Sequence, residues 1–96
     1  MDTKKMTNYK LLLDALSVQI ERIVNAAVSA EALGVTPLFD PRGQVSFESA
    51  KFEGMVACAF ALGFIDERQA EVLVMHMRNC RLAHAVVPLR TDWLEL

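Results

Sequence analysis

Residues 9–30 read YKLLLDALSVQIERIVNAAVSA, and within them Tyr9, Leu13, Leu16, Ile20, Ile23, Ala27 and Ala30 recur at alternating steps of four and three. Positions spaced this way share one face of a helix, so the stretch predicts a long helix carrying an apolar seam. A seam needs a second apolar face to cover it, from the same chain or from another. Working outward, Thr7 or Asn8 can cap the start, and Gly34, followed by Pro37, closes the end after Leu33. A helix over 7–33 is about 40 Å long, enough to serve as the spine of a small domain.

Beyond it, residues 34–45 read as a loop. Asp40-Pro41-Arg42-Gly43 has the composition of a type I or II turn, and Leu38 and Phe39 are candidate anchors. A second helix is expected over 47–62, with Ser46 as N-cap, Phe52, Met55, Val56, Ala59 and Leu62 on one face, and Gly63 as terminator. Asp66 and Gln69 then have the spacing of a capping box, with Ile65 placed to staple against Ala70. A third helix over 67–84 follows, and Pro88 prevents its undisturbed continuation. Residues 85–96 form a tail that either docks or adds one short helical turn. The expected fold is all-α: a small bundle of three main helices in one domain, the long N-terminal helix packed on an antiparallel helical hairpin.

Ninety-six residues can bury a core without metal or disulfide staples, and an apolar fraction of 53% is far from the composition of disorder. A net charge of −2 supplies no global attraction for polyanions, so nucleic acid is a disfavoured partner that would need a local basic patch. The longest apolar run, Met55 to Leu62, is far shorter than the ~20 residues of a membrane-spanning helix, and the N-terminus lacks the pattern of a secretory signal. A cytoplasmic location with Cys58 and Cys80 as free thiols is expected.

His76, Cys80 and His84 stack along one face of the third helix and are ligand types for zinc. The outer two are separated by about 12 Å of axial rise, too far to share an ion. In a hairpin centred between Phe64 and Ile65, Cys58 lies level with Glu71 and Cys80 with Ser49, about 13 Å apart, so no metal site is assigned. The same register places Glu53 near His76 and Glu48 near Arg81. Cys58 sits in VACAF (56–60), an apolar setting that keeps a thiol unreactive, and no glycine-rich oxyanion loop accompanies Cys80. No phosphate-binding loop, zinc-protease motif or paired carboxylates appear; neither catalysis nor a cofactor is expected.

Two readings of the surface remain. Ala59 and Gly63 have the spacing of a DNA-binding helix-turn-helix, with Cys58, Leu62, Phe64 and Val72 where that motif is apolar. Gln69, however, stands where an aliphatic residue is usual, and Asp66, Glu67 and Glu71 would confront phosphates with like charge. Leu11 and Val18, in contrast, fall opposite the seam of the first helix among Asp14, Arg22, Asn25 and Ser29, and Trp93 and Leu94 stand in an acid-flanked tail. Apolar residues so placed are contact candidates for a partner or a second copy. The sequence therefore reads as a non-catalytic protein-binding module, a homodimer acting as a small regulator or inhibitor through a protein partner. A helix-turn-helix transcriptional regulator is the alternative. A mobile-element inhibitor of a host defence complex also fits the size and the absence of catalytic motifs.

Overall fold

The apolar seam of residues 9–30 forms one face of helix α1, Thr3–Ala32, in a computed structural model that describes residues 3–32 and 43–89. Leu13, Leu16, Ile20, Ile23 and Ala27 are buried, while Tyr9 and Ala30 at the ends of the seam are half-buried. Thirty residues at 1.5 Å each give about 45 Å, which accounts for the 48 Å long axis of the molecule. The helix begins four residues before the expected Thr7. Neither Thr7 nor Asn8 caps it, because both are already within its helical run.

Helix α2, Gln44–Ala61, likewise starts earlier than expected, with Ser46 inside its first turn. The cap is Gly43, left-handed at φ 62°, and it makes no side-chain capping bond. Its carbonyl instead accepts the first helical bond from the Phe47 N–H at 2.7 Å. Of the turn 40–43, only Gly43 lies among the described residues; Gly34, Pro37, Leu38 and Phe39 fall outside them.

At its far end, α2 closes at Gly63, φ 78°, where Gly63 N–H bonds Phe60 O and Phe64 N–H bonds Ala59 O. These are the two bonds of a Schellman motif, and glycine pays no Cβ penalty for the left-handed residue it requires. Four residues later α3, Glu67–Ala83, starts with the expected capping box. Gln69 N–H donates to Asp66 Oδ1 at 2.7 Å, and Asp66 N–H donates to Gln69 Oε1 at 2.8 Å. Ile65 is buried and Ala70 packs on the same cluster, as a hydrophobic staple requires. Helix α3 ends in a second Schellman pair, with His84 in the left-handed position at φ 52°.

Each helix touches the other two. Leu13, Leu16, Ile20, Ile23 and Val24 of α1 meet Phe52, Val56 and Ala59 of α2 and Leu73, Met77 and Cys80 of α3 in one cluster. The hairpin is antiparallel: Arg78 donates to Glu53 at 3.1 Å and Arg81 donates to the Ser49 hydroxyl at 3.0 Å. This register is displaced one to two residues from a hairpin centred between Phe64 and Ile65. Glu53 therefore meets Arg78 rather than His76, and Arg81 meets Ser49 rather than Glu48. Glu48 is buried against α1, where Gln19 Nε2 donates to its carbonyl at 2.9 Å and to its carboxylate. Beyond α3 the chain turns back, Val87 O lying 2.6 Å from His76 Nε2 and Leu89 packing on the core. Residues 85–89 thus dock. Among the described residues, no helix is long and apolar enough to cross a membrane.

Candidate docking surface

Helix α2 carries two stripes of 3.5-residue spacing on opposite sides. Val45, Ser49, Phe52, Val56 and Ala59 face the core, all buried but for half-buried Val45. Phe47, Ala50, Gly54, Ala57 and Ala61 advance by three and four around the far side, and all are exposed. At 100° per residue these five, with Cys58, span an arc about 100° wide centred opposite the buried face. No polar side chain interrupts that arc from Phe47 to Ala61; Lys51 and Glu53 stand just beyond its two edges. A surface helix ordinarily turns charged and polar residues to solvent, and a helix apolar all round is normally buried.

Gly54 lies at the middle of this arc. In a helix interior glycine costs about 1 kcal/mol relative to alanine. Among the described residues nothing crowds it, since a Cβ at Gly54 would meet no heavy atom within 4 Å. Large side chains frame the small ones: Phe47 is 64% exposed at one end of the helix and Leu62 67% at the other. Leu62 was expected on the buried face, but it is the C-cap residue, where the helix has ended and the side chain swings out before the turn at Gly63. Along one flank, Ala57 and Phe60 form a wall of an open groove of about 510 Å³, with Val74 and Met75 of α3 opposite and the Glu53–Arg78 pair within it.

Leu11 and Val18 lie on the outer face of α1, 63% and 51% exposed, where the sequence places them. Trp93 and Leu94 lie outside the described residues. The α2 face escaped sequence reading, although its signal was present: the seam arithmetic applied to α1 also picks out 47, 50, 54, 57 and 61. Alanine and glycine do not announce themselves as apolar in the way that leucine and isoleucine do.

The titratable cluster of α3 is drawn apart by its surroundings. His76 Nε2 lies 3.5 Å from Cys80 Sγ and close to Val87 O, whereas His84 Nδ1 turns to α1 and meets Glu31 at 2.7 Å. Cys80 is buried at 2% exposure. Cys58 is exposed on the outer face of α2 rather than enclosed in apolar surroundings, and both cysteines are free. Among the described residues, no three His, Cys, Asp or Glu side chains are grouped to hold a metal ion. Cys58, Leu62, Phe64 and Val72 are all exposed, whereas a helix-turn-helix uses these positions to pack its two helices together. Comparison with protein-family models, with characterised proteins and with solved structures finds no match.

Proposed function

We propose that this protein is a non-catalytic protein-binding module that acts as a small regulator or inhibitor by occupying a partner. One observation carries the reading: the outer face of α2 is apolar from Phe47 to Ala61, and among the described residues it stands exposed. Contiguous apolar surface of this kind marks an interaction site, because leaving it in water forgoes about 25 cal/mol for each Å² of coverable area. Leu11 and Val18 supply a second, smaller contact on α1.

Ala57→Glu tests the reading, since it places a charge on the face, at its edge beside the groove, at an exposed position. The expected result is unchanged helicity and a melting temperature within a few degrees of the parent. Wild-type bait should retain a stoichiometric protein from source-cell lysate through nuclease treatment, either a second copy of this chain or another protein, and the variant should lose it. Recovery of nucleic-acid-associated proteins alone, abolished by nuclease, would instead restore the DNA-binding alternative.

A further inference from the structure

We infer that the groove between α2 and α3 receives an amphipathic helix of a partner protein, apolar along one side and carrying lysine or arginine at the end that meets Glu67 and Glu71; this rests on the protein-binding reading and names the chemistry of the partner. The groove is built by the hairpin, with no residue of α1 in its lining. Ala57 and Phe60 of α2 face Val74 and Met75 of α3 across it, and Phe60 and Met75 are 48% and 61% exposed. Along α3 the lining runs from Glu67 to Arg78, about 16 Å of helix and so the length of about three turns. An incoming helix with apolar side chains at i, i+3 or i+4, and i+7 fills a groove of this length, and the flexible thioether of Met75 adapts to them.

Charge decides what else the occupant carries. Three carboxylates, Glu53, Glu67 and Glu71, line the groove against one guanidinium, Arg78. Arg78 is bound to Glu53 at 3.1 Å, which leaves Glu67 and Glu71 uncompensated at the end nearest the turn between the helices. Neither of them forms an ion pair among the described residues. They stand four apart on α3, where like charges repel and weaken a helix. Glu67, in the first turn, suits the positive end of the helix dipole, but Glu71 lies a turn further on, beyond the reach of that effect.

A lysine or arginine placed between the two carboxylates relieves the repulsion, an attraction that the free chain leaves unused. The same charges turn away a polyanion. At the other end the Glu53–Arg78 pair is already neutral, so the basic residues of the occupant belong at one end only.

The test is the fluorescence anisotropy of labelled helical peptides that share one leucine stripe and carry lysines, glutamines or glutamates at one end, with the helicity of every protein variant checked by circular dichroism. The lysine peptide is expected to bind most tightly and the glutamate peptide most weakly. Glu67→Gln with Glu71→Gln should weaken the lysine peptide about fivefold, as loss of two exposed ion pairs does, and level the three affinities. Phe60→Ala should weaken all of them about tenfold, as loss of an aromatic anchor does. Asp14→Asn with Glu21→Gln removes the same charge from exposed positions on α1 and should change nothing. Equal affinity for the three peptides overturns the inference, as does a lysine preference that survives Glu67→Gln with Glu71→Gln or that the α1 substitutions lower as much. A wild type found dimeric by light scattering, and made monomeric by Glu67→Gln with Glu71→Gln, would put a second copy in the groove and overturn it too. The protein-binding reading fails separately, when the wild type retains no protein from lysate. It stands without the groove when Ala57→Glu abolishes retention and Glu67→Gln with Glu71→Gln leaves it intact.

Discussion

His84 and Gly63 do the same work at the ends of α3 and α2, each in the left-handed position of a Schellman motif, at φ 52° and 78°. The left-handed conformation costs a residue with a Cβ about 1–2 kcal/mol. His84 bears that cost while its Nδ1 reaches Glu31 at 2.7 Å and ties the end of α3 to the end of α1. The contact is solvent-exposed, and exposed pairs contribute about 0–1 kcal/mol. Strain and contact should therefore nearly cancel. His84→Gly is expected to leave stability unchanged or raise it by up to about 1 kcal/mol, read as the urea midpoint. Gly63→Ala is expected to lower stability by about 1–2 kcal/mol. Its Cβ would meet nothing within 4 Å, so the whole cost is conformational. A loss above 1 kcal/mol in His84→Gly would mean that the Glu31 link does more than hold two helix ends together.

Between elements, the polar pin of the bundle is Gln19 on α1 with Glu48 on α2, both buried inside an otherwise apolar interface. Removing the donor strands a buried acceptor. Gln19→Leu should cost about 2–3 kcal/mol, whereas Gln19→Leu with Glu48→Leu should recover most of the loss, because an apolar pair leaves no polar side chain unsatisfied and only the main-chain carbonyl of residue 48 loses a donor. Thermal unfolding of the two variants and the parent decides it; a double variant no better than the single would show that the pin sets the helix register as well. The sequence held the seam of α1, the capping box of α3 and the glycine stop of α2 in legible form, since each is written in side-chain type at fixed spacing. The start of α2 was not legible because Gly43 caps with its backbone conformation and no side chain. Gln19 was not legible either: it lies beside the seam rather than on it, and its burial depends on where Glu48 arrives from the other helix. The outer face of α2 was written in alanine and glycine, which read as helix formers or breakers before they read as a surface.

For the whole molecule, the two exposed apolar surfaces lie on different helices, one on α1 and one on α2. The outer face of α2 lies opposite the face it buries, and Leu11 and Val18 stand exposed on α1. Those two residues are seven apart, about 10 Å along the helix, on a face otherwise polar. The two faces are separable by mutation. Leu11→Asp with Val18→Asp replaces no buried residue, so each change should alter stability by no more than about 0.5 kcal/mol and leave helicity unchanged. Retention of the partner protein from lysate should weaken, because these residues supply the smaller of the two proposed contacts. Unchanged retention would leave the α2 face as the whole of the contact. Loss of helicity would show that Leu11 and Val18 belong to the core, contrary to their exposure. The double aspartate and Ala57→Glu thus divide the surface between them: whichever abolishes retention of the partner identifies the face that meets it.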